Sequence, residues 1–285
     1  MRLVTFQAPG HHSVPGLLHG DQIIDLSMAG FADVIAVIQA GAEGRRKIEE
    51  YITNPAPNAV CSHGNAKLLA PIPRPPKLIC VGLNYKDHAA EAKMEIPSVP
   101  VIFSKFGNTI IGPGEPIVLP KNSAKPDYEA EFAFVIGPGG RHIPADRWRD
   151  HVYGYMCLND VSARDFQLAT SQWIMGKTFD TFAPCGPALV TADEIPDPHH
   201  LTIKMIVNGE VLQNSNTNNM IFGIGRLIEH LSSVMTLECG DIVTTGTPAG
   251  VGFSYKPPRW LRPGDHCVVE IEGIGRLENP VVAEA

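Results

Sequence analysis

The sequence predicts a mixed, β-rich α+β fold in two parts. Short apolar runs bounded by Gly and Pro turns recur through the chain and are typical of β-strands. Only a few stretches show the 3.6-residue periodicity of an amphipathic helix. The proline-rich segment "APIPRPPK" at 70–77 is typical of an extended, semi-rigid connector. We therefore expect a small N-terminal domain over residues 1–70 and a larger catalytic domain over residues 71–285.

The N-terminal part is predicted to be a small α/β domain. Within residues 1–26 the runs "RLVTF", "VPGLLHG" and "QIIDLS" predict short strands separated by turns. The stretches "FADVIAVIQAG" and "GRRKIEEYI" predict two helices, the first of which ends at Gly41. This part of the sequence carries little recognisable chemistry.

The second part predicts many short strands with peripheral helices. Helical patterns are confined to two stretches, near 145–153 and 222–235, and no repeat of 20–50 residues is visible. The strand-like runs are "KLICVGL", "PVIFSKF", "PIVLP", "EAEFAFVIG", "ALVTA", "LTIKMIVNGEVLQ", "DIVTTG" and "HCVVEIEGIGRLENPVV".

The charge of the chain restricts the class of partner. The formal net charge is −7, and there is no block of Lys and Arg that would attract nucleic acid or an anionic membrane. We therefore expect a small-molecule substrate, and no nucleic-acid or membrane partner. Because the overall field repels anions, an anionic substrate would need a local positive centre, such as a metal ion.

Location and redox state follow from what the sequence does not contain. No stretch approaches the roughly 18 apolar residues of a membrane span, and "MRLVTFQAPG" lacks the apolar core of a signal peptide. The six cysteines include no C-x-x-C pair, so we expect reduced and mostly buried thiols. These observations predict a cytoplasmic protein.

Three carboxylates alternate along one predicted strand. In "KPDYEAEFAFVIG" (125–137), Asp127, Glu129 and Glu131 occupy every second position and should share one face. Same-face neighbours lie about 7 Å apart, close enough for two carboxylates to reach a single divalent cation. An alternative is a solvated edge strand whose negative charge prevents aggregation. The pattern alone leaves both interpretations open.

A further acidic residue favours the metal interpretation. Asp160, in "CLNDVSARD", follows the strand-like run "YGYMCLN" and lies in a turn-like context. Carboxylate oxygens are hard ligands that suit Mg²⁺, Mn²⁺ or Ca²⁺. A site that keeps open positions for a substrate favours Mg²⁺ or Mn²⁺.

Five motifs occur in order along the second part: "VGLNYKDHAAE", "DYEAEFAFVIG", "NDVSARD", "GKTFDTFAPCGP" and "GDIVTTGTPAGVG". Together they resemble the fumarylacetoacetate hydrolase family over about residues 70–282. The first 70 residues resemble the small domain found in longer members of its acylpyruvase-like branch. The resemblance implies a β-roll or barrel-like catalytic domain and a homodimer.

The resemblance also implies a metal site and a substrate lysine. Its metal triad would fall on Glu129, Glu131 and Asp160, with Asp127 outside the coordinating set, and Mg²⁺ or Mn²⁺ would be the ion. Lys177, in "GKTFD", matches the lysine that neutralises and polarises a 2-keto acid. The same triplet is not a P-loop, because the required upstream glycine is absent.

His88 and Glu91 are the candidate base and its orienting carboxylate. They are three residues apart, so a helix would place them on one face, where Glu91 can orient the imidazole. The resemblance implies that they activate water and lie on a lid. It assigns substrate contacts to Thr247 with Gly246, and less firmly to Gln167.

The implied function is hydrolysis of a carbon–carbon bond in a 2,4-diketo acid, giving a carboxylic acid and a pyruvate-type keto acid. The alternative is an oxaloacetate or β-keto acid decarboxylase, or an isomerase, of the same family. A metal-bound scaffold without catalysis would require a missing triad member or lysine, and none is missing. One departure is Leu83, where acylpyruvase-like relatives often carry arginine; it argues against short, doubly charged substrates.

Overall fold

A computed structural model describes residues 1–285 and shows an α+β fold dominated by three β-sheets. The strands are β1 (Arg2–Gln7), β2 (Ser13–His19), β3 (Gln22–Asp25), β4 (Val60–Ser62), β5 (Lys67–Leu69), β6 (Leu78–Gly82), β7 (Val101–Ser104), β8 (Ile110–Ile111), β9 (Ile117–Leu119), β10 (Pro126–Asp127), β11 (Ala130–Ile136), β12 (Val152–Asn159), β13 (Ser162–Ala163), β14 (Ala183–Thr191), β15 (Thr202–Val207), β16 (Glu210–Asn216), β17 (Ile242–Thr244), β18 (His266–Ile271) and β19 (Gly275–Ala283). The helices are α1 (Val34–Gln39), α2 (Gly41–Tyr51), α3 (Lys86–Ala92), α4 (Arg164–Gln167), α5 (Ile174–Lys177) and α6 (Ile224–Val234).

The main sheet has the strand order β4-β3-β2-β1-β14-β12-β11-β17-β6-β7, with β5 on β1 and β8 on β14. A second sheet has the order β16-β15-β18-β19-β9, and β10 pairs with β13 alone. The sequence prediction of a β-rich α+β fold is confirmed. Both larger sheets are open, so the barrel-like part is two packed sheets and not a closed barrel.

Strand β11 lies in the middle of the main sheet and is buried on both faces. It pairs antiparallel with β12 on one side and with β17 on the other. Phe132 and Phe134 point into the core shared with the second sheet, whereas Ala133 and Val135 point into a core shared with α1 and α2. The alternative of a solvated edge strand is therefore wrong for this segment.

The predicted carboxylate strand is interrupted near its start. β10 ends at Asp127 and β11 begins at Ala130, so the three acidic residues do not lie on one continuous ladder. The backbone N–H of Glu129 donates to the side-chain oxygen of Asn159 on β12 instead of to a backbone carbonyl. This break separates Asp127 from the other two carboxylates.

The N-terminal strands extend the main sheet through pairing of β1 with β14, in the register Arg2↔Val190 and Leu3↔Leu189. The division into domains 1–70 and 71–285 stays a prediction.

The hairpin of β15 and β16 turns at Asn208 and Gly209, both with positive φ, as the "NG" dipeptide indicates. The stretch predicted as a helix near 145–153 is a 3₁₀ helix over Ala145–Asp150.

Candidate active site

The three carboxylates of the predicted metal triad converge. One ligand oxygen of each of Glu129, Glu131 and Asp160 lies within 4.8 Å of the others, and all three residues are buried. Glu131 belongs to β11, and Asp160 follows the neighbouring strand β12. The Asp160 N–H donates to the Glu129 carbonyl over 2.9 Å, which joins the two segments at this point.

Lys177, at the end of α5, lies between two of these carboxylates. Its Nζ atom donates to Oε2 of Glu129 over 2.9 Å and to Oδ2 of Asp160 over 2.7 Å. Burial alone would lower the pKa of Lys177, but Asp160 and Glu129 raise that pKa above its ordinary value. The lysine is therefore a fixed cation at the cluster, and its role toward a substrate stays a prediction.

Two further cations contact the cluster, and the sequence analysis did not single them out. Lys105 is fully buried, and its Nζ donates to Oδ1 of Asp160 and to the Val161 carbonyl. Arg164, at the start of α4, lies with its Nη1 atom 2.6 Å from Oε1 of Glu129. Arg164 lies inside the motif "NDVSARD", and its charge within that motif is the sequence feature that could have identified it as a site residue.

Asp127 lies outside the triad and binds Arg164. Its Oδ2 atom accepts from Nε of Arg164 over 2.8 Å, and its Oδ1 atom accepts from the Gly252 N–H over 2.7 Å. A Cβ on Gly252 would come within 2.5 Å of that Oδ1, which explains the glycine. Asp127 thus holds the guanidinium that contacts Glu129.

Glu131 is the carboxylate of the triad that has no cationic partner, so it shows whether a metal ion suits this site. Its Oε2 atom accepts from the Gly246 N–H over 2.9 Å, but no Lys, Arg or His lies within ion-pair distance. Burial raises the pKa of Glu131 well above its ordinary value, and the charges of Asp160 and Glu129 raise it further. A divalent cation would supply the missing charge, and three carboxylates are a suitable donor set for Mg²⁺ or Mn²⁺.

Glu129 and Glu131 of the cluster line a cavity of about 490 Å³. A volume in the range of about 300–1,000 Å³ is typical of small-molecule sites. Charged and apolar side chains both line it: Val81, Gly82, Leu83, His88, Glu91, Ala92, Met94, Phe103, Glu129, Glu131, Arg164, Gln167, Leu168, Trp173, Lys177, Thr247, Val251, Phe253 and Ser254.

His88 and Glu91 form the pair that their spacing predicts. Both lie on α3, and Nδ1 of His88 is 3.3 Å from Oε2 of Glu91. The Gly250 N–H donates to Oε1 of Glu91 over 3.0 Å. Burial raises the pKa of Glu91, but hydrogen bonds from His88, Ser254 and Gly250 outweigh it and lower that pKa. An ionised Glu91 selects the tautomer with hydrogen on Nδ1 and leaves Nε2 able to accept a proton.

Of the three residues predicted to contact a substrate, Gln167 and Thr247 line the cavity and Gly246 does not. Gln167 is buried, lines the cavity and accepts from Arg164 through its side-chain oxygen. The Thr247 hydroxyl donates to the Ala130 carbonyl and accepts from Gln213, so the hydroxyl is already engaged. Gly246 adopts a left-handed φ of 86° and donates its backbone N–H to Glu131. It does not line the cavity. Their roles toward a substrate stay predictions.

Comparison with known proteins agrees with this geometry. A family model described as fumarylacetoacetate (FAA) hydrolase C-terminal matches residues 77–282. Oxaloacetate tautomerase FAHD2A, mitochondrial, of Bos taurus is 44% identical over 290 residues, covering 99% of this chain and 92% of the relative. None of the six α-helices has both the length and the apolar composition of a membrane-spanning helix.

Several solved structures match over 100% of both chains, among them a hydrolase and an isomerase. One is maleylpyruvate hydrolase from Sphingobium sp. SYK-6 in complex with manganese(II) ion and pyruvate, with a TM-score of 0.85 and 31% identity. The other is 5-carboxymethyl-2-hydroxymuconate delta-isomerase from Mycobacterium smegmatis, with a TM-score of 0.80 and 36% identity. Hydrolases and isomerases are thus both among the similar structures.

Proposed function

The chain belongs to the fumarylacetoacetate hydrolase family, and on that premise we propose that it is a metal-dependent keto–enol tautomerase. Its substrate would be a 2-keto acid with a second carbonyl group at C4, oxaloacetate being the compound in the name of the bovine relative. The observation that carries the proposal is the convergence of Glu129, Glu131 and Asp160 beside a cavity that Glu129, Glu131, Lys177 and His88 line. This proposal places the isomerase alternative of the sequence analysis ahead of the hydrolase.

Glu129, Glu131 and Asp160 would hold the divalent ion, which we propose to be Mg²⁺ or Mn²⁺. The ion would supply Lewis-acid stabilisation of the negative charge that develops when a 2-keto acid is deprotonated at C3. Lys177 adds a fixed positive charge beside the same carboxylates. Because this charge is buried and already oriented, it stabilises an enolate without reorganisation.

His88 would be the base for enolisation. A C3–H between two carbonyl groups is acidic, and the pair His88–Glu91 provides an acceptor at Nε2 with the imidazole held at Nδ1. The C3–H bond breaks as Nε2 takes the proton, and an enol O–H bond forms when a proton is returned to the keto oxygen. No bond between carbon atoms breaks, and the substrate composition does not change.

Hydrolysis of a 2,4-diketo acid is the second candidate, and the His88–Glu91 pair is the observation that favours it. The same base could activate a water molecule for attack on the C4 carbonyl. The similarity to maleylpyruvate hydrolase supports this possibility at the level of the fold. Decarboxylation of a β-keto acid would need no base for water, and we therefore place it third.

A single assay series separates these reactions. Mg²⁺-loaded protein is mixed with oxaloacetate and with acylpyruvates in D₂O, and C3 deuterium exchange, carboxylic acid and CO₂ are measured separately. We expect faster C3 exchange and enol decay without acid or CO₂, and loss of both effects in His88→Ala. Stoichiometric acid release from acylpyruvates would replace the proposal with the hydrolase. CO₂ without acid would identify a decarboxylase.

Location and assembly are finer points of the same proposal. We keep a cytoplasmic homodimer as the working prediction. The name of the bovine relative assigns that protein to mitochondria, so the location needs its own measurement, by fractionation of cells that express the chain. Light scattering of the purified protein measures the assembly.

A further inference from the structure

One wall of the active-site cavity is apolar and begins beside Lys177. The Nζ atom of Lys177 lies 5.1 Å from the ring centroid of Phe103, and Phe103 meets Trp173 edge to face at 5.6 Å between centroids. Trp173 in turn lies directly on Gly82, where a Cβ would come within 2.3 Å of the indole ring. Leu83 follows Gly82 and also lines the cavity. These residues form a continuous apolar row that leads away from the catalytic cation.

Large apolar side chains also surround the mouth of the cavity. Met94, Leu168 and Phe253 line it, and they are 53%, 59% and 50% exposed. Single exposed apolar residues need no explanation, but a group of them at one opening is typical of a ligand-binding groove. The three residues come from separate segments of the chain, so it is the fold that brings them together at this opening.

Every Lys or Arg side chain that lines the cavity beside this apolar row already has a carboxylate partner. The only Lys and Arg side chains that line the cavity are Lys177 and Arg164, and both are paired with buried carboxylates. The remaining basic side chain that lines the cavity is His88, which contacts Glu91. A second substrate carboxylate placed along the apolar row would therefore lose its hydration without gaining a partner, which is costly.

We infer that Phe103, Trp173 and Leu83 form a specificity-determining wall, and that this chain prefers keto acids with an apolar distal group to short dicarboxylates. The inference rests on the proposed function and deepens it by naming the substrate class. The favoured substrate carries a 2-keto acid head and an alkyl or aryl group beyond its C4 carbonyl. Oxaloacetate, with a carboxylate at each end, would be turned over but recognised less well.

Binding of inert analogues tests this preference without turnover. N-alkyl oxamates keep the 2-oxo acid head but have nitrogen in place of C3, so they cannot enolise. Titration calorimetry of the Mg²⁺-loaded protein compares N-methyl, N-propyl and N-pentyl oxamate with N-oxalylglycine, which ends in a carboxylate. We expect each added methylene to tighten binding up to about fourfold, the equivalent of about 0.8 kcal/mol. N-oxalylglycine should bind about tenfold more weakly than N-propyl oxamate.

A charge placed on the wall should reverse the order. Leu83 has a left-handed φ of 32°, and arginine has the same backbone restriction as leucine, so Leu83→Arg adds no new backbone strain. We expect the variant to bind N-oxalylglycine more tightly than N-propyl oxamate. Val211→Arg is the matched control, because Val211 is 49% exposed on β16 and does not line the cavity. It should keep the wild-type order.

Two results would overturn the inference: equal or tighter binding of N-oxalylglycine to the wild type, or affinity that is independent of alkyl length. Because both are measured on the wild type, they decide the question even if Leu83→Arg does not fold. Failure of the proposed function looks different. In that case the oxamates would still bind with the expected length dependence, whereas no keto acid would exchange its C3 protons.

Discussion

The Nζ atom of Lys177 donates to Oδ2 of Asp160 over 2.7 Å, and both side chains are buried. The lysine therefore contacts one carboxylate of the predicted metal triad directly. A metal ion at the triad must share Asp160 with this ammonium group. In the proposed function, Asp160 therefore interacts both with the ion and with the lysine.

Replacement of Lys177 by methionine should tighten metal binding and abolish turnover. Unit charges 4 Å apart interact by about 4 kcal/mol at an effective dielectric constant of 20, so removing the ammonium relieves a substantial repulsion of the ion. We expect Mn²⁺ to bind about tenfold more tightly or better in Lys177→Met, as measured by titration calorimetry. Weaker Mn²⁺ binding would mean that Lys177 supports the metal site and does not compete with it.

Removal of the imidazole should separate catalysis from metal binding. His88→Ala takes away the proposed base but touches none of the three carboxylates, so Mn²⁺ affinity should stay unchanged. General-base catalysis typically contributes about 10²–10⁴-fold, and we expect kcat to fall by that factor. Steady-state kinetics with saturating Mg²⁺ provides the check. A variant that retains wild-type kcat would exclude His88 as the base.

Asp127 should matter for stability more than for metal binding. Asp127→Asn removes one of the two carboxylate charges paired with the buried Arg164 and leaves only that of Glu129, and breaking a buried ion pair costs about 3–5 kcal/mol. Asp193→Asn is the control, since its pair with Arg45 is exposed and such pairs contribute about 0–1 kcal/mol. Urea unfolding measures both. Similar destabilisation by the two substitutions would contradict the role given to Asp127.

Much of the fold and part of the site could be predicted from sequence. Strand periodicity located most of β11, and the resemblance placed Glu129, Glu131 and Asp160 together. Lys105 and Arg164 were missed because each meets its carboxylate partner only through the pairing of distant segments. The break at residues 128–129 was missed because the hydrogen bond that Glu129 makes there, to the side chain of Asn159, is a tertiary contact. Local patterns carry no information on such partners.

His199 should make stability depend on pH. Its Nε2 atom accepts from the Ile224 N–H at the start of α6, and this bond requires the neutral ring. Burial lowers the pKa of His199 below 6.5, nearby Arg149 lowers it further, and Asp197 opposes the shift. As the pH falls below 6.5 the unfolded chain binds a proton that the folded chain does not, so stability decreases.

His199→Gln keeps a hydrogen-bond acceptor but removes this titration. The free energy of unfolding of the wild type should decrease relative to that of the variant between pH 7.5 and pH 5, as measured by urea unfolding at each pH. A difference between the two proteins that does not change with pH would contradict this assignment.

The central claim is that Glu129, Glu131 and Asp160 together hold one divalent ion, and titration of Mn²⁺ into wild type and Glu131→Gln tests it most directly. Glu43→Gln, a substitution at an exposed position on α2, serves as the control. The account predicts one ion per chain in wild type and control, and at least about a hundredfold weaker binding in Glu131→Gln. No Mn²⁺ binding by the wild type at millimolar concentration, or equal affinity in Glu131→Gln, would contradict it.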